Sequence, residues 1–193
     1  GSDWSSDVCS SDLLNKISSI HRFNGTYLFQ PETLPDHCTE MALLCINFSK
    51  LVDESDVKDM CYRCMVHDLE ESISSDVPRT LKHQSEELKE LIDKTAYELL
   101  AKECSEEILN DVKNAKNKTN VNGFLVHIAD RIQCFMKMSR EVENYGNRVL
   151  KSDFEFFKSC IHELFSEIKQ SETMSEASKK NLIEYIQKII ISN

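Results

Sequence analysis

Between Ser55 and Glu71 the apolar residues Val57, Met60, Cys61, Cys64 and Met65 recur every three or four positions. That is the period of one face of an α-helix. Met41, Leu44, Cys45, Phe48 and Leu51 repeat the spacing upstream, and Asp36 reads as the N-cap of that helix, with Thr39 and Glu40 in its first turn. The same pattern predicts a short helix at 14–20 and longer ones near 85–102, 105–115, 124–142, 152–169 and 175–190. Breakers separate them: the segment 21–35 with Gly25, Pro31 and Pro35, the stretch from Ser74 to Pro78, the polar run NAKNKTNVNG and the turn YGN. The charged run SEELKELIDK is a solvated helix face. With about seven helices, no repeat and no internal linker, the pattern describes one all-α domain.

Composition sharpens this picture. Only four glycines and three prolines occur in 193 residues, too few for the hairpins and tight turns of a β-rich fold. A formal net charge of −10 repels nucleic-acid backbones and anionic membranes, so neither a polymeric nucleic acid nor a membrane is expected as a partner. There is no run of about 18 apolar residues and no basic segment leading into an apolar core at the N-terminus, so the expected location is the cytoplasm. The eight cysteines fall mostly within helical patterns and read as reduced, buried thiols.

The first thirteen residues, GSDWSSDVCSSDL, differ from the rest. They lack apolar periodicity and hold the only tryptophan, Trp4. Asp3–Leu13 resembles a translated sequencing adapter and Gly1-Ser2 a cloning scar, which points to a metagenomic or phage gene. The expected domain is therefore 14–193. Without Asp3, Asp7 and Asp12 the charge moves from −10 to −7, and the domain is still acidic.

The chemistry concentrates in CYRCMVHDLEESISSD, residues 61–76. On a continuous helix at about 100° per residue, His67 at 0° places Asp68 near 100° and Glu71 near 40°, so Glu71 projects between them while Glu70, near 300°, points elsewhere. An imidazole and carboxylates on one face suit a divalent transition metal such as Mn, Co, Fe, Ni or Zn. His37, and Asp130 within the apolar FLVHIADRIQCF, are the candidates to complete the site. An isolated carboxylate among Ile128, Ala129 and Ile132 would be costly to bury, and a metal partner would explain it. The competing reading is a zinc knuckle on Cys61 and Cys64. It fares worse, because a CxxC inside a helix lacks the tight turn and the second ligand pair that such a site needs.

The order His37, His67-Asp68, Asp130 resembles the HD superfamily of metal-dependent phosphohydrolases. HRFNGTYLFQPETLPDH resembles the opening segment of the bacterial HD-domain 5′-deoxynucleotidases, HDLEESISSDVP their central motif and ADRI their final metal-ligand helix. The likeness spans about residues 17–150, and a related phage group, the HD-domain dATP triphosphohydrolases, shares these segments. The resemblance implies an HD helical bundle in which His37, His67, Asp68 and Asp130 bind one divalent metal. It implies Glu71 as general acid/base, Asp76 near the attacking water or the sugar hydroxyl, Arg22 as phosphate clamp, Phe23 stacked on base or sugar, and Lys82 as added positive charge. Asp36 replaces the Glu usual before the first His, and Phe23 stands where Trp is frequent. His83 and His127 are the residues that could make the site dinuclear. His21 and His162 read as ordinary polar residues.

Three functions follow as expectations. The first is release of phosphate from deoxynucleoside 5′-monophosphates. The second is the same chemistry on a deoxynucleoside triphosphate, releasing triphosphate. The third is a non-catalytic nucleotide-binding module, which the complete ligand set and Glu71 argue against. The resemblance also implies a homo-oligomer, a dimer or larger. The apolar residues Leu182, Ile183, Ile186, Ile189 and Ile190 would serve either an interface or the core.

Overall fold

A computed structural model describes residues 15–82 and 84–192, with Arg79 and Thr80 described through their backbone alone. The adapter-like segment, Leu14 and His83 lie outside the described residues. A helical turn at 15–18 leads into a loop that runs to Thr33. Helix α1 (Leu34–Phe48) starts earlier than expected. Its N-cap is Thr33, and Asp36 is the third helical residue of a reciprocal capping box: Thr33 N–H donates to Asp36 Oδ2 at 3.0 Å and Asp36 N–H to Thr33 Oγ1 at 3.3 Å. Pro35 is accommodated within the first turn, where no intrahelical N–H is required.

Helix α2 (Val57–Val66) is capped by Asp56, as its sequence indicates. Two single turns follow, α3 (Glu71–Ser74) and α4 (Arg79–Lys82), then α5 (Glu86–Leu100), α6 (Glu106–Ala115) and α7 (Val121–Ser139). Ser85, Ser105 and Asn120 cap α5, α6 and α7. Helices α8 (Lys151–Gln170) and α9 (Glu176–Ser192) complete the chain. Among the described residues there is no strand, only an isolated bridge between His21 and Thr33.

Helices α1, α2 and α7 pack on one another, with α6 against α2 and α8 against α7. α7 is buried over most of its circumference, from Phe124 to Ser139, as befits a central helix. The main core joins Met41, Phe48 and Met60 to Leu125, Ile128, Ile132, Leu164 and Ile168. Leu182 and Ile186 belong to that core, and Ile183, Ile189 and Ile190 pack against it. A smaller cluster of Leu69, Leu100 and Val112 supports the segment after α2. No described helix is long and apolar enough to cross a membrane.

α7 ends in a π-type turn, Arg140–Asn144, which buries Glu141 completely. The Glu141 carboxylate accepts hydrogen bonds from Phe29 N–H and Gln30 N–H, each at 2.9 Å, and from Lys137 and Asn147, each at 3.1 Å. Lys137 also donates to the Gln30 carbonyl, and Asn147 to that of Tyr27 at 2.9 Å. Burial would raise the Glu141 pKa, yet these donors hold it below the ordinary value. One buried carboxylate thus fixes the loop that carries Arg22 and Phe23.

Candidate metal centre

His37, within α1, and His67, the C-cap of α2, meet with ring centroids 5.4 Å apart. Both are buried, at 0% and 6% exposure. His67 Nδ1 lies 2.9 Å from the Cys64 carbonyl. A carbonyl only accepts, so the proton sits on Nδ1 and Nε2 faces the interior. His37 Nδ1 lies 2.6 Å from Gln133 Oε1. Gln133 Nε2 reaches the carboxylates of Glu32 at 2.8 Å and Glu40 at 3.2 Å. Carboxylates also only accept, which fixes the amide orientation and makes His37 Nδ1 a donor. Both Nε2 atoms are buried without a hydrogen-bond partner. Two orphaned imidazole nitrogens held in the same orientation are an arrangement that a metal ion satisfies.

Carboxylates border these nitrogens. Asp68 Oδ2 is 3.0 Å from His67 Nε2, and Asp130 Oδ1 is 3.4 Å from His37 Nε2. Donor atoms of His37, His67 and Asp68 lie within 4.8 Å of one another, as do those of His37, Asp130 and Cys134. All four expected ligands therefore gather around His37, and the donor set of two imidazoles and two carboxylates fits a divalent transition metal. Burial works against charge on His67, but the Asp68 carboxylate outweighs it and holds the imidazole pKa well above the ordinary value. His37 moves the other way, lowered by burial and by the Arg22 cation. Asp68 is held well below the carboxylate range: burial opposes this, but His67, Lys116 and Arg22 prevail. Asp130 is lowered too, its contact with His37 outweighing burial.

The local backbone departs from the continuous helix expected through Glu71. α2 stops at Val66, and hydrogen bonds Leu69→Val66, Glu71→Asp68 and Ser72→Leu69 span three residues rather than four. In such a tight turn residues i and i+3 eclipse, so Glu71, whose N–H donates to the Asp68 carbonyl at 3.0 Å, is brought to the side of Asp68. Glu70 does not point away. It is 3% exposed and pairs with Lys116, whose ammonium is also 3.1 Å from Asp68 Oδ1. Burial, reinforced by the neighbouring charge of Asp68, pushes the Glu71 pKa well above the ordinary value. Burial thus favours the protonated form of the Glu71 carboxyl.

The cleft beside these groups has a volume of about 320 Å³ and is lined by Arg22, Phe23, Asp68, Glu71, Asp76 and Lys82, among others. The Arg22 guanidinium is 3.6 Å from Asp68, 3.4 Å from Glu32 and 3.3 Å from Cys134 Sγ, with the Phe23 ring 5.6 Å away. Phe23 and Ser75 both have left-handed backbone, φ 57° and 58°. That conformation is costly for residues other than glycine and concentrates at functional sites. Asn24 N–H, next to Phe23, donates to Asp76 Oδ2 at 3.3 Å and ties the two strained segments together. Lys82 borders the cleft but is paired with Asp93 at 2.8 Å.

The remaining described candidates stand apart from the two donor groups around His37. Cys64 Sγ packs 3.5 Å from Cys45 Sγ in the core, and Cys61 faces the Ala42 carbonyl at 4.0 Å. His127 Nε2 accepts from Lys118 at 3.0 Å and belongs to neither donor group found among the described residues.

Family comparison matches residues 11–185 to the YfbR-like 5′-deoxynucleotidases. The chain belongs to the YfbR-like 5′-deoxynucleotidase family. Solved structures agree on the fold. An HD-domain phosphohydrolase (lin2634) from Listeria innocua superposes with a TM-score of 0.73 at 16% identity, over 97% of this chain and 90% of that one. The PH0347 protein from Pyrococcus horikoshii OT3 gives 0.69 at 20%, covering 92% and 94%. The cyanophage S-2L HD phosphohydrolase DatZ, bound to dA and one catalytic Zn²⁺, gives 0.68 at 17%, covering 95% and 97%. No curated protein matches the sequence. As a YfbR-like family member the chain is a metal-dependent nucleotide phosphohydrolase with an all-α HD fold.

Three contributors escaped the sequence reading. Gln133 sits one turn beyond Asp130 on the same face of α7, and a glutamine amid apolar neighbours was the available signal. Glu32 and Lys116 had none, since each meets its partner through tertiary packing.

Proposed function

We propose that this chain releases orthophosphate from deoxynucleoside 5′-monophosphates at one divalent metal held by His37, His67, Asp68 and Asp130. The observation that carries the reading is the pair of buried, unpartnered imidazole Nε2 atoms beside two carboxylates. When bound, a divalent ion supplies Lewis acidity toward phosphoryl oxygens and makes water a competent nucleophile near neutral pH. The Zn²⁺ in the cyanophage neighbour supports zinc among the candidate metals, and its dA supports a deoxynucleoside ligand.

The side chains divide the remaining work. Arg22, held by Glu32 and Asp68, offers a planar fork of donors to the phosphate. Glu71, whose proton burial holds more tightly than usual, gives that proton to the departing O5′ as the P–O5′ bond breaks. Asp76 faces the cleft to orient the attacking water or a sugar hydroxyl, and the Phe23 ring provides a stacking surface for base or sugar. Lys82 adds positive charge at the cleft mouth if the substrate draws it from Asp93. The test is a product assay run in parallel on deoxynucleoside monophosphates, ribonucleoside monophosphates and deoxynucleoside triphosphates, with and without chelator. Chelator-sensitive release of nucleoside plus orthophosphate is expected. Nucleoside plus triphosphate would replace this reading with the triphosphohydrolase.

A further inference from the structure

Cys134 follows Asp130 by four residues on α7, so the two side chains share a face of that helix. The thiol is 6% exposed and borders the cleft beside Arg22 and Asp130. No step of the proposed reaction uses it. Its Sγ lies 3.7 Å from Asp130 Oδ1, and the same oxygen is 3.4 Å from His37 Nε2. All three atoms fall within 4.8 Å of one another. Donors bonded to one zinc-like ion, at about 2.0–2.2 Å for nitrogen and oxygen and about 2.3 Å for sulfur, stand about 3–3.7 Å apart. Both printed contacts have that spacing. His37 is fully buried and its Nε2 has no hydrogen-bond partner, so an ion among these three atoms satisfies a nitrogen that the protein itself leaves orphaned.

The guanidinium of Arg22 adds to the argument. Its Nη2 donates to Cys134 Sγ at 3.3 Å. A neutral thiol is a weak acceptor for such a donor, whereas a charged thiolate is a strong one. Arg22 also faces Asp68 at 3.6 Å, so the cation stands beside both a carboxylate and a sulfur at the edge of the site. Packing alone would account for a buried cysteine here. It would not account for a sulfur set among a guanidinium, a carboxylate and an unpartnered imidazole. Burial and the Asp130 charge keep the proton on a free Cys134 thiol. Coordination to a divalent ion releases that proton to solvent.

We infer that Cys134 is a fifth protein ligand of the divalent ion, supplied as a thiolate from the cleft side, and that it biases the centre toward zinc and cobalt over manganese and magnesium. A soft thiolate favours the first pair, while carboxylates and water suit the second. The inference rests on the proposed reading of His37 and Asp130 as metal ligands.

The experiment is cobalt substitution of the full chain read by near-ultraviolet absorption, with Zn²⁺ and Mn²⁺ affinities measured by chelator competition. A thiolate bonded to Co²⁺ gives an intense charge-transfer band that nitrogen and oxygen donors do not give. Stripped protein titrated with Co²⁺ is expected to develop this band and to saturate at one equivalent per chain. Cys134→Ser and Cys134→Ala are expected to abolish it. Cys61→Ala, outside both donor groups, is expected to keep it. Zinc affinity is expected to fall at least about tenfold in both Cys134 variants, the smallest loss usual even for a residue that only supports a ligand. Manganese affinity is expected to change by less than about twofold. Cobalt bound by the unaltered chain without the band overturns the inference whether or not the variants fold, and leaves the four-ligand reading standing. A band that persists in both Cys134 variants, or an unchanged preference for zinc over manganese, also overturns it. A Cys134-dependent band in a protein that releases phosphate from no deoxynucleotide would refute the proposed reaction and leave the ligand standing.

Discussion

Replacing Gln133 with leucine tests whether the His37 imidazole is held for a metal by the hydrogen bond behind it. Gln133 is fully buried and closes a chain from His37 Nδ1 through its amide to Glu32 and Glu40. Leucine fills similar volume and makes none of these bonds. His37 Nδ1–H and Glu32 Oε1 are then left without their partner, each costing about 1–3 kcal/mol. Glu40 is offset by its pair with Arg140 at 2.6 Å. The expected loss of stability is the sum of the two, about 2–6 kcal/mol, less whatever water recovers. The ring also loses its fixed tautomer and orientation, and removing such a partner typically costs about 10–100-fold in metal affinity. Urea denaturation of the metal-free protein reads the first quantity. Competition with a chromogenic chelator reads the second. Gln133→Glu is the companion variant: a third carboxylate beside Glu32 and Glu40 supplies an acceptor to His37 but no donor to the other two. Metal affinity within twofold of wild type in Gln133→Leu would refute the argument that this bond orients the ligand.

Other outcomes follow from the same geometry. Asp68→Ala removes a proposed ligand and one partner of Lys116, and both metal binding and turnover are expected to vanish in equilibrium dialysis and phosphate-release assays. Glu71→Gln keeps the metal but loses the proton donor, lowering kcat by about 10²-fold or more, so full activity would sink the acid assignment. Metal affinity is expected to weaken as pH falls. The metal must displace a proton from His67, whose pKa Asp68 holds well above the ordinary value of about 6.5; below that raised pKa each pH unit costs about tenfold, and a dissociation constant flat between about pH 6 and pH 8 would contradict this. Gly123→Ala pushes a Cβ into the Asn117 carbonyl and is expected to cost at least about 1–3 kcal/mol, seen as a lowered melting temperature.

Much of the fold was legible because short-range chemistry set it. Asp56, Ser85 and Ser105 cap the helices they precede, and the apolar stripe of α1 runs from Met41 to Phe48 as the spacing requires. The start of α1 was misplaced by three residues because Thr33-x-x-Asp36 is itself a capping signal, with aspartate where glutamate is usual, and Pro35 looked like a breaker. The gathering of His37, His67, Asp68 and Asp130 was legible through residue type: His67-Asp68 beside an apolar stripe, and an aspartate in the midst of α7. The local geometry was not. The three-residue hydrogen bonds after Val66 turn Glu70 inward, where Lys116, 46 residues away, meets it. Glu141 pins the loop of Arg22 from 111 residues downstream of Gln30. Those pairings are set by which helices pack together, and no local pattern encodes them.

The central claim is that one divalent ion at His37, His67, Asp68 and Asp130 drives phosphate release from a deoxynucleoside monophosphate. The most direct measurement strips the protein with chelator, restores Zn²⁺, Mn²⁺ or Co²⁺ in sub-stoichiometric steps, and follows orthophosphate release at each step. The account expects no release without metal, a linear rise and a plateau at one equivalent per chain. Release that survives stripping, or none with any metal at one equivalent, would contradict it.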